Sequence, residues 1–326
     1  YATNYSEDDL VRMASDLTLE YLPGTRWNYS NTGYAMLGVM ISRVTGVPYW
    51  EFLRERVFDS AGMPTIRINT ATQIVPHRAR GYMPGPGGLQ NASHVAEQTN
   101  TTADGSMLLS LRDMIAWNEA VRTRAVLSPE SWDQILSPMV LNSGNTHPYG
   151  FAWFFDEVAG QPVLEHSGSW QGFVNQYTRF PEQDLSVIVL TNARSAMSAP
   201  LAMRIGALID PALMPEPLPI EAIADDPAVT THVAGMLEKM SDGSLALTDF
   251  DFIRQTVFPR MRVALQTQLA GLGRPDDLTL LAREQVGDDT EFVYRATWGD
   301  RRMRVTLSIG PDGGLTNFVF IVPGTP

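Results

Sequence analysis

Two short stretches hold side chains suited to moving a proton and to steadying a developing negative charge. The first, Pro23-Gly24-Thr25-Arg26-Trp27-Asn28-Tyr29-Ser30-Asn31-Thr32-Gly33-Tyr34, runs from a tight turn into a helix. Ser30 or Asn31 fits the N-cap position. Tyr29 then sits beside the positive end of that helix, which favours a phenolate. A phenol titrates near ~10, so a base working at neutrality needs that help and a nearby cation. Taken locally, the stretch also reads as a tyrosine packed at a helix start, its hydroxyl capped by Asn31. The second stretch is Glu165-His166-Ser167-Gly168-Ser169-Trp170-Gln171-Gly172-Phe173. It is expected at the end of a strand, with two glycines that let a ligand approach the backbone. His166 could act as a cation or donor, and the Ser169 N–H could serve an oxyanion. Locally it also reads as a β-turn with a polar histidine on its rim.

Other chemistries find no footing. There is no G-x-S-x-G elbow, H-E-x-x-H pair, P-loop or G-x-G-x-x-G. His77, His94, His147, His166 and His232 are scattered without metal-ligand spacing, so no metal or cofactor is expected. The absence of cysteine excludes disulfides, thiolate metal sites and a cysteine nucleophile. A net charge of −12 argues against a nucleic-acid partner. No apolar run approaches the ~18 residues of a membrane span; Ala35–Ile41 and Leu185–Leu190 are core-sized. Lys239 is the single lysine among 24 basic residues, so a mechanism needing a lysine has one candidate here.

The elements that must position these stretches follow from periodicity. Pro211, Pro215, Pro217 and Pro219 cannot sit in a helix or a central strand, so 211–219 reads as a semi-rigid linker. It divides a domain at 1–210 from one at 220–326. In the first, helical spacing runs over Glu7–Leu19, then over a stripe of Tyr34, Leu37, Gly38, Ile41 and Val44, then over Tyr49–Val57. Residues 66–103 are loop-rich, and Leu111–Arg122 is amphipathic. The period then changes to strands at Tyr149–Phe155, Gln161–Glu165, Gly172–Phe180 and Leu185–Thr191, the last a bare apolar run expected to be buried. Ala199–Ile209 returns to helix. In the second, a helix is expected from about Thr248 to Leu269, kinked or split at Pro259. Strands follow at Leu278–Val286, Glu291–Trp298, Arg302–Ile309 and Leu315–Val322, forming an antiparallel meander with helix on one face.

Taken together, the two stretches resemble motifs of the beta-lactamase-related serine hydrolases: class C beta-lactamases, penicillin-binding carboxypeptidases, D-aminopeptidases and esterases of the same fold. Tyr29-Ser30-Asn31 is similar to the family's Tyr-x-Asn box, and His166-Ser167-Gly168 to its Lys-Thr-Gly or His-x-Gly box. Val57–Met63, Ala103-Asp104-Gly105-Ser106 through Asp113-Met114, and Phe180-Pro181 with Val187–Asn192 resemble its intervening segments, in order. The resemblance covers most of 1–210. It implies an α+β fold, an antiparallel sheet with helices on its faces and a helical subdomain. It also implies acyl transfer through an acyl-serine on an ester, amide or peptide carbonyl. Tyr29 takes the role of base and acid partner, and Asn31 orients the substrate or the lysine. His166 is the third-box donor; Ser167 and Gly168 line the substrate, and the Ser169 N–H is one oxyanion donor. The two must border one carbonyl, so Tyr29 and His166 are expected within about 10 Å of each other. The 220–326 domain is similar to the NTF2-like or cystatin-like modules appended to some of these hydrolases.

One departure stands out. The family nucleophile lies in Ser-x-x-Lys, and this chain has no such box; Lys239 has Met236 three residues before it. Only 28 residues precede Tyr29, and the first is Tyr1 rather than Met. The preferred expectation is that the natural protein continues upstream and that the chain alone is silent. The rival is a degenerate relative that binds ligands without turning them over. A missing N-terminal segment would leave apolar surface and sheet edges exposed, to be covered by that segment or by self-association. A histidine in the third box leans toward peptidase or esterase chemistry, since imidazole carries less charge than ammonium near neutrality. The resemblance also implies a periplasmic or secreted location.

Overall fold

The computed structural model describes residues 3–97, 101–105, 107–214, 221–251 and 258–321. Their contacts gather into two units. One comprises Tyr1–Thr18, Tyr29–Pro138 and Pro148–Glu216; the other comprises Leu19–Asn28, Met139–His147 and Pro217–Pro326. Two short segments upstream of the proline-rich run thus group with the C-terminal unit, and no composition shift marks them in the sequence.

In the first unit, α1 (Glu7–Ser15) starts at a capping box between Ser6 and Asp9 and stops short of the expected Leu19. Helix α2 (Asn31–Thr45) starts at the Ser30 cap and ends at Gly46, whose φ of 72° is the left-handed conformation that glycine adopts freely. Its expected apolar stripe is only partly used. Gly38 and Val39 are buried, whereas Leu37, Met40 and Val44 are exposed, as are Met13 of α1 and Leu17. Helix α3 (Tyr49–Leu53) runs into one π-helical turn, Arg54–Phe58. Strand β1 (Arg67–Ile68) pairs with β4 (Met107–Leu108), and within the stretch read as loop, β2 (Tyr82–Gly85) pairs with β3 (Gly88–Asn91). Helix α4 (Leu111–Thr123) begins at Ser110, capped by the buried Asp113. Burial opposes the charge of Asp113, but hydrogen bonds from Thr65 and Ser110 outweigh it and hold the carboxyl below its usual range. Helix α5 (Pro129–Ile135), absent from the sequence expectation, is signalled by Ser128 at the cap and Pro129 at the first position.

After a pair that groups with the second unit, β5 (Met139–Val140) and β6 (Thr146–His147), the first unit forms its main sheet. It contains β7 (Tyr149–Gly150), β8 (Trp153–Val158), β9 (Gln161–Trp170), β10 (Phe173–Phe180) and β11 (Leu185–Thr191). The order is β11-β10-β9-β8-β7, antiparallel throughout. Alternation sends Val163, Phe180, Val187 and Val189 to the face covered by Ala202 of α6 (Ser198–Ile209). Leu164, Tyr177 and Ile188 go to the other face, against Val121 of α4 and Trp132 of α5. The result is helix, sheet, helix. β11 is an edge strand with Val187 and Val189 inward and Leu190 exposed, not the fully buried strand its apolar run suggested. At the head of the proline-rich run, Pro211–Leu213 forms a 3₁₀ turn whose Leu213 is fully buried against this core; 215–219 of the expected linker lie outside the described residues.

In the second unit, α7 (Pro227–Asp242) was not foreseen, although Asp226 caps it, Pro227 opens it and Gly243 closes it. Of the helix expected over 248–269, a 3₁₀ turn at Leu247–Asp249 and α8 (Phe258–Leu269) are seen; 252–257 lie outside the described residues. Pro259 is the second residue of α8 as described, so the kink or split expected there depends on residues outside the described ones. Strands β12 (Asp277–Val286), β13 (Asp289–Trp298), β14 (Arg301–Ile309) and β15 (Leu315–Ile321) make the expected four-strand meander. Val322, the expected last strand residue, lies outside the described residues. One core joins Val233, Leu237 and Met240 of α7 to Tyr294, Val305 and Leu307 of the sheet. Among the described residues no helix is long and apolar enough to cross a membrane.

Candidate active site

Ser30 is the residue that caps α2: its Oγ accepts from the Gly33 N–H at 2.9 Å. Asn31 is therefore the first helical residue, and Tyr29 the last extended one before the cap. Both stretches singled out by residue type line a single cavity of about 1200 Å³ that belongs wholly to the first unit. Tyr29, Asn31, His166, Ser167, Gly168 and Ser169 all border it. The rings of Tyr29 and His166 are 6.0 Å apart, inside the expected limit.

His166-Ser167-Gly168-Ser169 does not stand past the end of a strand, as expected, and is not itself the β-turn of the local alternative. It is the second half of β9, in register with Val174–Tyr177 of β10. The turn is Gln171-Gly172, with φ of 44° and 85°, the two-residue hairpin geometry that matches strand twist. Gly172 is required there for packing as well, because a Cβ would meet the Tyr82 backbone nitrogen at 2.5 Å. It is thus a structural glycine, whereas Gly168 has open space where a Cβ would stand. On its other side, β9 pairs with β8 only as far as Glu165. Past that point, among the described residues, no strand covers the flank of His166–Trp170. In a strand, alternate backbone groups point to either side, so part of this flank turns its amides away from β10.

Aromatic rings surround the Tyr29–His166 pair. Tyr149, at the start of β7, meets Tyr29 edge-on at 6.3 Å and His166 at 6.2 Å, and Phe154 of β8 lies 5.4 Å from His166. The Tyr149 hydroxyl is hydrogen-bonded to Tyr34 and lies 3.4 Å from His166 Nε2. The other ring nitrogen, Nδ1, lies 2.6 Å from the Ser167 carbonyl. A carbonyl only accepts, so Nδ1 carries the proton and donates. Burial pushes the His166 pKa down, and the Ser167 hydrogen bond only partly offsets this. Near neutrality the ring is therefore uncharged, protonated at Nδ1, with Nε2 an acceptor. Of the two roles read from sequence, cation or donor, this environment disfavours the cation and leaves an N–H donor.

Tyr29 departs from expectation in the same direction. The helix N-terminus was expected to favour a phenolate. Instead burial, and then the Asp104 carboxylate, raise its pKa above the ordinary phenol value. Asp104 also borders the cavity. Sequence reasoning gave neither Asp104 nor Tyr149 a role: Asp104 falls in a segment that resembles the family's, and Tyr149 at the start of an expected strand. Among the described residues no cluster of His, Asp and Glu could hold a metal ion. Lys239, the single lysine, is in the second unit, its Nζ 2.5 Å from Asp249 Oδ1.

The family model described as Beta-lactamase matches residues 1–208. Penicillin-binding protein 4* of Bacillus subtilis (strain 168) is 28% identical over 203 residues, covering 59% of this chain and 45% of that protein. A D-aminopeptidase of Gluconobacter oxydans (strain 621H) is 26% identical over 200 residues, covering 61% of this chain and 38% of that protein. The chain thus spans less than half the length of these curated relatives. Among solved structures, the octameric penicillin-binding protein homologue from Pyrococcus abyssi shares the fold at a TM-score of 0.55 and 18% identity. That match covers 98% of this chain and 69% of the homologue.

Proposed function

The chain belongs to the beta-lactamase family, and on that premise we propose that it supplies the cleft of a serine hydrolase acting on an ester, amide or peptide carbonyl. The observation that carries this reading is the convergence of Tyr29, Asn31 and His166–Ser169 on one cavity. In this reading a serine Oγ attacks the carbonyl, the oxyanion is met by the Ser169 N–H, and an acyl-serine forms. Water then releases the acyl group. Tyr29 takes the serine's proton and returns it to the leaving group, and Asn31 orients the substrate. A phenol is protonated near neutrality, and partial desolvation and Asp104 raise the Tyr29 pKa further, so it becomes a base only when a cation stands beside it. No Ser-x-x-Lys occurs in the chain, and Lys239 is tied to Asp249 in the other unit. We therefore place both nucleophile and cation in sequence upstream of Tyr1, and the 326 residues alone are expected to be silent. An uncharged His166 is a poor anchor for a carboxylate, which favours esters, amides and peptides over beta-lactams.

The second reading, a ligand-binding protein without turnover, rests on the same missing box. A fluorophosphonate probe and a p-nitrophenyl ester separate the two. The polypeptide that includes the upstream coding sequence should be labelled and should hydrolyse the ester, and Tyr29→Phe should abolish turnover. Absence of both labelling and hydrolysis sinks the enzyme reading; burst acylation of the 326-residue chain overturns the placement of the nucleophile.

A further inference from the structure

The cavity carries charge at two places, each tied to a different part of its wall. Among the described residues that line it, Asp104 is the single carboxylate and Arg78 the single arginine or lysine. Asp104 stands near enough to Tyr29 to act on its hydroxyl. Arg78 belongs to another corner. Its Nη2 donates to Asn69 Oδ1 at 2.9 Å, and Asn69 Nδ2 donates in turn to Gln171 Oε1 at 3.4 Å. Asn69 is 6% exposed and lines the cavity, as does Gln171. A buried amide needs a partner at each end, and this one has a guanidinium donor at its oxygen and a carbonyl acceptor at its nitrogen. Both ends of the network are built into the first unit. Asn69 follows β1, which is paired with β4. Gln171 sits in the β9–β10 turn, and the chain just after Arg78 packs on that turn: a Cβ at Gly81 would lie 1.8 Å from Gln171 O. The Arg78 side chain itself is exposed, and among the described residues no carboxylate pairs with it. Asn69 takes one of the five N–H donors of a guanidinium, which leaves most of the fork for a ligand.

The direction of a bound substrate follows from β9. His166 precedes Ser169 by three residues, and Gln171 follows it by two, roughly 7 Å of chain on the far side. In the proposed reaction the oxyanion sits at the Ser169 N–H and Tyr29, beside His166, returns the proton to the leaving group. The leaving group therefore lies toward His166, and the acyl chain runs the other way, toward Gln171 and Arg78.

We propose that Arg78, held by Asn69, binds an anionic group at the far end of the substrate's acyl chain, so that the cleft selects acyl groups ending in a carboxylate. The planar guanidinium fork matches a carboxylate with two parallel N–H bonds. Asp104, beside Tyr29, repels the same anion from the leaving-group side, so the two charges together fix which way such a substrate lies. The selected chemistry is a carboxylate several carbons from the scissile carbonyl, not one on the leaving group near His166. The selectivity rests on the proposed hydrolase reading; the anion site at Arg78 does not.

The test compares two esters of one length in the longer, ester-hydrolysing polypeptide: mono-p-nitrophenyl adipate, whose acyl chain ends in a carboxylate, and its methyl ester, in which that end is neutral. The ratio of their kcat/KM values should favour the anion by about tenfold or more, the scale of a charge-assisted contact. It should shrink as salt is raised. Arg78→Gln should bring the ratio to within about twofold of one. A ratio near one in the unaltered polypeptide overturns the proposal, and so does a ratio that Arg78→Gln leaves in place. The anion site is read separately in the ¹⁵N-labelled 326-residue chain by NMR. Monomethyl adipate should shift the side-chain amide signals of Asn69 and Gln171 to saturation; dimethyl adipate should not, and Arg78→Gln should remove the response. If the longer polypeptide hydrolyses neither ester, the enzyme reading fails while this titration still decides the site: no saturable shift, or equal shifts from the two adipates, overturns it.

Discussion

The Arg26 site and the Tyr29 cleft treat charge in opposite ways. Around Arg26, one cation stands between two carboxylates, and Asp251 is fully buried. Around Tyr29, which keeps 44% of its surface exposed, partial desolvation still favours the uncharged phenol as it does the imidazole of His166, and the nearby Asp104 pushes the phenol further the same way. The first arrangement is already neutralised and holds the chain still. The second is poised: a cation arriving beside Tyr29 would lower its pKa and change what it can do. Where charge is matched the protein is scaffold; where it is held back, chemistry has somewhere to go.

The sharpest way to break this contrast is Arg26→Gln. It strands a buried carboxylate, which should cost about 3–5 kcal/mol in urea unfolding. A loss below about 1 kcal/mol would mean the pair is not the scaffold described here. A pH effect comes next. Burial holds the His147 pKa at about 4, below the 6.5 of a free imidazole. Folding thus favours the neutral ring. Its contribution is fully present above about 6.5 and is lost as pH falls toward about 4. His147→Phe keeps a ring against Trp27 and should flatten the stability profile across that window; an unchanged profile would reject the assignment. The smallest contrast compares two glycines. Gly310→Ala drives a methyl into the Arg26–Asp251 pair and should cost about 1–3 kcal/mol. Gly168→Ala enters open space on the cleft wall and should stay within about 0.5 kcal/mol. Equal losses at the two sites would erase the distinction between packed anchor and open wall.

Much of this was legible in the residues. The main strands, the C-terminal meander and the pairing of the Tyr29 and His166 stretches follow from periodicity and motif order. Helix α7 is legible too, through Asp226-Pro227 at its start and Gly243 at its end. Other features were not legible for physical reasons. The protonation of Tyr29 and His166 depends on burial and on Asp104, which lies 75 positions from Tyr29 in sequence. The grouping of 19–28 and 139–147 with the C-terminal unit depends on partners such as Asp251 and Asp289, more than 200 positions from Arg26. Strand β9 runs on through Ser167-Gly168-Ser169 because β10 pairs with it, against the turn-forming tendency of those residues.

The single lysine has a use unrelated to catalysis. A lysine-specific endoproteinase has one place to cut, after Lys239, inside α7. The side chain is accessible, but Leu237 and Met240 on either side are fully buried. The peptide bond can enter a protease only when that helix locally opens. Cleavage into two fragments therefore works as a built-in clock. Its rate reports openings of that helix, each counted once when cleavage outpaces reclosing, without any engineered label.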